Sequence, residues 1–480
     1  MKLKGDLRRT MIDSGKLTIK EAADLIAKKQ IKVLELAQIF LERAKKINKK
    51  LNSYITITEN VALQQAKKVD ELITNNQKMP PLAGIPIAIK DLFSTQGIKT
   101  TAGSKVLENY IPVYDATVIS RLKEVNSVFV GKTNQDAWGH GSSGENSDFG
   151  ATRNPYDLQR VPGGSSSGSA VAVASGSALA ATGTDTGSSV RLPAAFCNLV
   201  GLKPTYGRVS RYGIVAMASS LDSIGHFTKT VYDNALVLSV TAGKDKFDST
   251  CATDAVPDYT KSLANGVKGL SIGLPKEYFE KLDTKIKDVT LKAIKKLEDL
   301  GARITEVSLP HTEYGIATYY IIQPSEVSSN LARYDGIRFG NTRESFGPEA
   351  KRRIILGTYT LSSGYYDAYY LKAMKVRRLI LEDYLNVFKT VDVLICPSSP
   401  TLPFKIGEKV NDPLTMYLSD VFLVTQNLAG VPSLNIPCGF LENLPVGMQI
   451  VGPHFSEKLL YQVAYAYEQE TKWYKRKPEI

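Results

Sequence analysis

Gly84-Ile-Pro-Ile-Ala-Ile-Lys-Asp91 is an apolar run entered through glycine and closed by a lysine and an aspartate. Its length and isoleucine content predict a buried strand over 85–89, and Val128-Phe-Val130 repeats the pattern in shorter form. Between them the spacing predicts a helix near 117–125. The order strand, helix, strand is a βαβ unit, which belongs in a mostly parallel or mixed sheet. Working outward, Ala22, Leu25, Ile26 and then Leu34, Leu36, Ala37, Phe40, Leu41 recur at helical spacing. They predict two amphipathic helices over 18–50 that form a packing layer. Tyr54-Ile-Thr-Ile-Thr58 reads as a strand followed by a helix to about residue 72. Further on, 270–274, 285–300 and 303–307 repeat the strand, helix, strand rhythm.

The 480 residues are 43% hydrophobic and 22% charged, an ordinary globular balance. No run approaches the roughly 18 apolar residues of a membrane span, and Asp6 and Asp13 interrupt the basic start. The expectation is a cytoplasmic protein without an export signal. Cys197, Cys251, Cys396 and Cys438 lie far apart, which argues against a disulfide framework or a zinc spacing. His140, His226, His311 and His454 form no HExxH or HxH arrangement, so no metal is expected. The net charge of +12 is spread along the chain, with modest clusters at 372–378 and 472–477. It reads as a solvated basic surface whose diffuse field would assist an encounter with RNA, or with a partner holding RNA.

From Gly131 to Gly207 the composition turns to Gly, Ser, Thr and Ala, interrupted by Val171-Ala-Val-Ala174 and Leu179-Ala-Ala181. Those apolar interruptions favour a buried, tightly turning region over a flexible linker. Gly139-His-Gly-Ser-Ser-Gly144 matches GxGxxG by letters, but it begins eight residues after the strand end and runs into Glu145, Asn146 and Asp148. Gly131-Lys-Thr133 lacks the first glycine of a P-loop, since Asn126 stands there. Gly164-Ser-Ser-Ser-Gly168 fits GxSxG and would make Ser166 a nucleophile. The turn-rich approach through Asn154–Pro162 is not the buried strand that such an elbow follows, so this remains a minor alternative.

Three segments carry chemistry together: Gly84–Asp91, Pro162–Ser169 and Gly183-Thr-Asp-Thr-Gly-Ser-Ser-Val-Arg191. A lysine that ends an apolar strand is drawn inward, where desolvation frees a neutral amine to act as a general base. A strand-end lysine pointing to water is the commoner fate, and only the two Gly/Ser segments overturn that reading. They offer hydroxyls for nucleophile and proton relay, and glycine-permitted backbone whose N–H groups can converge on an oxyanion.

These segments together resemble the amidase signature family, whose Ser-Ser-Lys catalysis uses no histidine. The resemblance places the family's lysine on Lys90, the bridging serine on Ser165 beside a cis peptide, and the nucleophile on Ser189. It places the oxyanion donors on the backbone of Thr186, Gly187, Ser188 and Ser189. Ser167 and Ser188 stand where the family usually has glycine, and such a Cβ requires that φ stay negative. Later stretches, Ser325–Gly336, Lys351–Thr358, Gly364–Tyr370, Asp412–Tyr417 and Leu444–Ile450, look like the A subunits of glutamyl-tRNA(Gln)/aspartyl-tRNA(Asn) amidotransferases.

The resemblance implies one α/β/α domain over 1–480, a sandwich with a large twisted mixed sheet. Residues 1–75 would be an N-terminal helical layer and 84–210 the catalytic core. It implies that glutamine acylates Ser189 and releases ammonia, with Arg353 on the α-carboxylate, Asp420 on the α-amino group and Tyr320 nearby. The ammonia would pass to a B subunit that uses ATP and Mg²⁺ to amidate Glu-tRNA(Gln) or Asp-tRNA(Asn), in a complex with a C subunit. This chain would itself need no cofactor. Two other readings stay open: a stand-alone amidase of small amides, and a basic RNA-binding subunit whose serine-rich loops are structural.

Overall fold

In the computed structural model, which describes residues 12–280, 282–334 and 340–480, the strands are β1 (Tyr54–Ile57), β2 (Pro86–Lys90), β3 (Val128–Thr133) and β4 (Ala180–Asp185). They continue with β5 (Val200–Lys203), β6 (Ser223–Thr228), β7 (Ser271–Pro275) and β8 (Arg303–Val307). The last three are β9 (Val393–Pro397), β10 (Ser433–Leu441) and β11 (Leu444–Val451). All lie in one 11-stranded mixed sheet of order β1-β3-β2-β4-β6-β5-β10-β11-β9-β7-β8. Residues 1–11, and Asp335-Gly336 of the motif that begins at Ser325, lie outside the described residues.

The expected βαβ unit is present: β2 and β3 pair in parallel, and Thr117–Glu124 is the helix between them. β2 also pairs in parallel with β4, so it has neighbours on both sides and every residue of it is buried. That burial on both faces is why its sequence is continuously apolar. The second such unit forms the far edge, where β7 and β8 pair in parallel across the helix Thr284–Asp299. Between these parallel pairs, β6, β5, β10 and β11 run antiparallel to both neighbours, while β9 is antiparallel to β11 and parallel to β7.

The two amphipathic helices form as expected. Ile19–Ala27 starts in a capping box of Thr18 and Glu21, which satisfies N–H groups that the first turn leaves free. Val33–Leu51 buries Leu36, Ala37, Phe40, Ala44 and Ile47 at three- and four-residue spacing and packs against β2 and β3. It ends at Asn52 in the left-handed region, a common helix stop. The Gly/Ser stretch is interior: from Val161 to Pro204 every residue is buried, and Ser167–Ala174 is a helix with no polar face. Among the described residues no helix is long and apolar enough to cross a membrane, and no group of acidic, cysteine and histidine side chains could hold a metal ion.

Candidate active site

Parallel β2, β3 and β4 deliver their C-terminal ends to one edge of the sheet, where open α/β sheets place their ligand sites. β2 ends on Lys90, β3 leads into Asn134-Gln-Asp136, and β4 ends on Asp185 and opens into the loop to Arg191. Lys90 is anchored by its own N–H, which donates to Thr182 Oγ1 on β4 at 2.9 Å. Its side chain is fully buried. The Nζ lies 2.9 Å from Ser165 Oγ, 2.8 Å from Ser166 Oγ and 2.8 Å from Thr184 Oγ1. Burial lowers the Lys90 ammonium to about 7, against the opposing pull of Asp136, Asp185 and Asp222. An amine that loses its proton near neutrality, and that touches a serine hydroxyl, can take and return a proton.

Ser165 follows a cis peptide with Gly164. A Cβ on Gly164 would lie 2.1 Å from Asp136 Oδ2, so only glycine lets the chain come this close to the carboxylate. Asp136 accepts N–H groups from Gly144 and Asn146, and burial raises it to about 7 despite those bonds. The Ser165 carbonyl accepts the Asp136 N–H at 3.2 Å, and the Ser189 carbonyl accepts the Ser166 N–H at 3.3 Å. The two serine segments are thus tied together by their main chains.

The loop from Thr186 to Ser189 is held by everything except its N–H groups. Thr186 Oγ1 donates to Asp222 at 2.7 Å, Ser188 Oγ donates to Asp420 at 2.6 Å, and the Gly187 carbonyl accepts from Arg191. Among the described residues, none of the four backbone N–H groups from Thr186 to Ser189 has an acceptor. A set of unspent donors in a fixed loop is what a developing oxyanion requires. Neither Ser167 nor Ser188 takes positive φ, so the side chains in place of the usual glycines fit without backbone strain. Gly187 must remain glycine, because a Cβ there would sit 2.7 Å from the Tyr319 ring.

Arg191 and Asp185 fix this loop from beneath as a fully buried ion pair at 2.9 Å. Asp185 also accepts the N–H groups of Val190 and Arg191. Burial works to raise the Asp185 carboxyl, but the adjacent guanidinium prevails and holds it below its ordinary value. Arg191 further donates to Gln426, Gln449 and Asn427.

The expected recognition residues also meet. Asp420 is buried and accepts hydroxyls from Ser188, Ser142 and Tyr320. Arg353, equally buried, donates to Glu349 at 2.8 Å, and its guanidinium faces the rings of Tyr320 and Tyr417 at 5.5 and 5.8 Å. Those two rings stack with centroids 3.8 Å apart. A cavity of about 120 Å³ opens beside them, lined by Ser142, Ser143, Glu349, Arg353 and Tyr417 among others. Ser142, Thr184, Glu349 and Tyr417 carried no role in the sequence reading. Ser142 lay inside the discounted GxGxxG match, Thr184 and Tyr417 inside quoted motifs, and nothing local marks Glu349.

Ser166, the GxSxG alternative, is fully buried and has Lys90 and Thr184 as its hydroxyl partners, with no histidine bonded to it among the described residues. His311 pairs instead with Asp383, and His454 with the Ala429 carbonyl.

The family model described as amidase matches residues 35–461. The glutamyl-tRNA(Gln) amidotransferase A subunit of Sulfurihydrogenibium sp. (strain YO3AOP1) is 56% identical, covering 97% of this chain and 99% of the relative. The crystal structure of the glutamyl-tRNA(Gln) amidotransferase A subunit from Thermotoga maritima is 44% identical, covers 95% of each chain and superposes with a TM-score of 0.83. Peptide amidase from Stenotrophomonas maltophilia is 30% identical, with 97% and 98% of the two chains covered and a TM-score of 0.83.

Proposed function

This chain belongs to the amidase family, and on that premise we propose that it is the glutamine-hydrolysing A subunit of a tRNA-dependent amidotransferase. The observation that carries the chemistry is the contact between buried Lys90 and Ser165, at the sheet edge where the Ser189 loop also ends. Ser189 Oγ attacks the glutamine carboxamide carbon, its proton passing to Ser165 and the Ser165 proton to neutral Lys90. The N–H groups of Thr186, Gly187, Ser188 and Ser189 receive the oxyanion. On collapse the C–N bond breaks, the relay returns its proton to the leaving nitrogen, and ammonia departs. Water, deprotonated by the same relay, then cleaves the acyl-Ser189 ester and frees glutamate.

Recognition follows from charge. Arg353 takes the α-carboxylate and Asp420 the α-ammonium, while Tyr320 orients the Asp420 carboxylate through its hydroxyl. Arg353→Ala is expected to lower kcat/KM for glutamine on the order of 100-fold, because it leaves a carboxylate unpaired in a buried site. Simple amides without that carboxylate should lose much less. Parallel kinetics on both substrates check this, and equal losses would remove Arg353 from recognition.

If neutral Lys90 is the base, kcat/KM for glutamine rises with pH through about 7 and levels off above it. Asp136 titrates over the same range, so the midpoint belongs to the pair. A pH profile that falls across neutrality would contradict this assignment.

The ammonia serves a B subunit that uses ATP and Mg²⁺ to amidate Glu-tRNA(Gln) or Asp-tRNA(Asn), with a C subunit completing a cytoplasmic assembly. The near full-length match to relatives named as A subunits supports this setting over a stand-alone amidase. Glutaminase activity measured with and without partner subunits and aminoacylated tRNA tests it. A chain indifferent to both would be the stand-alone enzyme.

A further inference from the structure

Glu349 lines the cavity together with Arg353, Tyr417, Ser142 and Ser143, and neither the relay nor the recognition scheme above uses it. It stands in the first turn of the helix Pro348–Thr360, one turn before Arg353. An acidic residue there has two ordinary uses, favouring a helix start and pairing with a cation four residues on. Arg378 and Glu382 show such a pair on the helix Lys372–Val387, with an Nε contact of 2.8 Å and side chains 64% and 44% exposed. Arg353 and Glu349 meet at the same 2.8 Å, but their side chains are 4% and 11% exposed. Two charges are drawn out of water where a surface pair leaves them wet, and helix stability alone does not account for that.

The bonding pattern does. Arg353 gives Glu349 its Nε–H, and among the described residues the N–H groups on its two terminal nitrogens have no acceptor and are not sealed off from solvent. The same Glu349 oxygen accepts the Tyr417 hydroxyl at 3.1 Å, and the Tyr417 ring stacks on Tyr320 and faces the guanidinium. A planar group held by one edge and faced by two rings has little freedom to turn. Its remaining edge is a fork of N–H groups, the shape that pairs with a carboxylate. Arg352 donates to the other Glu349 oxygen, so two cations and one anion leave the trio with a single positive charge, which one carboxylate balances.

We propose that Glu349 is a positioning residue for substrate recognition, aiming the terminal N–H groups of Arg353 at the glutamine α-carboxylate and fixing Tyr417 beside them. This rests on the glutamine-hydrolysing reading above. Glu349 acts through Arg353 and Tyr417 and takes no part in the proton relay.

The test uses the complete amidotransferase complex, two variants and two ligands. Glu349→Ala removes both acceptor oxygens, while Glu349→Gln keeps one. Glutamine is the substrate, and 4-aminobutanamide, which is glutamine without its α-carboxylate, is a competitor whose inhibition constant reads binding of the remainder. Glu349→Ala is expected to lower kcat/KM for glutamine roughly tenfold, mostly through KM, the size of one hydrogen bond to a charged group. The inhibition constant of 4-aminobutanamide should stay nearly the same. Glu349→Gln should recover part of the loss, because Nε keeps an acceptor. Equal weakening of both ligands would show a general disturbance of the helix. An unchanged KM would show an idle carboxylate, and a lower KM in Glu349→Gln would show one that competes with the substrate for Arg353. Any of these three results overturns the proposal. Wild-type complex that fails to hydrolyse glutamine would overturn the functional reading itself and this inference with it.

Discussion

A complex carrying Ser189→Ala is expected to lose glutamine-dependent formation of amidated tRNA by roughly 10⁶-fold, the scale seen when a serine nucleophile is removed. Added ammonium salt should restore the product. The substitution deletes one hydroxyl from a loop whose other anchors, Thr186 to Asp222, Ser188 to Asp420 and Arg191 to Asp185, remain in place. Ammonia production therefore stops while the fold and the partner's surface are preserved. The measurement is amidated tRNA formed with glutamine and, separately, with ammonium. Failure of ammonium to rescue an assembled complex would sink the division of labour between subunits, and unchanged glutamine-dependent activity would remove Ser189 from the reaction.

Lys90→Ala and Ser165→Ala are each expected to lower glutamine hydrolysis by on the order of 10² to 10⁴, the range for loss of a general base. The double variant should be little worse than either alone. The two side chains are 2.9 Å apart and pass a single proton, so removing either one already breaks the relay. Losses that multiply would mean that the residues act independently. Stability speaks to the same point, because Lys90→Ala removes an amine whose ionised form burial already disfavours and so should leave a folded protein. Thermal unfolding of the variant distinguishes loss of catalysis from loss of structure.

The strands and helices of the two βαβ units were legible because each is a local event. Residues 85–89 and 303–307 announce strands by composition, and 285–300 announces a helix by period. The antiparallel centre was not. β11 contains Pro445 and Gly447, β6 contains Gly225 and His226, and both are buried throughout, so neither shows the alternation that marks a half-exposed strand. The turn joining β10 to β11 is Glu442-Asn443, both residues at positive φ, where a sequence reader looks for Asn-Gly or Asp-Gly. The same divide runs through the site. Lys90 is visible as the charge ending an apolar run, and Ser165 and Ser189 stand out by their glycine-rich company. The contacts of Asp420 with Ser142 and Ser188 join residues 278 and 232 positions apart, and no local pattern records them. Resemblance to a family supplied Arg353, Asp420 and Tyr320, which no local pattern marks as recognition residues.

Arg191 does more than steady the loop in which it sits. Its guanidinium holds Asp185 at the end of β4, in the part of the sheet that carries Lys90, and it also holds Gln449 on β11 and Gln426 and Asn427 on the helix Val424–Ala429. One side chain thus joins strands that lie four positions apart in the sheet order. The reactive loop should show no separate melting transition, because opening it means parting the two sides of the sheet that Arg191 fastens. Heating should take activity and global structure through one cooperative event, in place of an early quiet loss of the site from an otherwise intact protein.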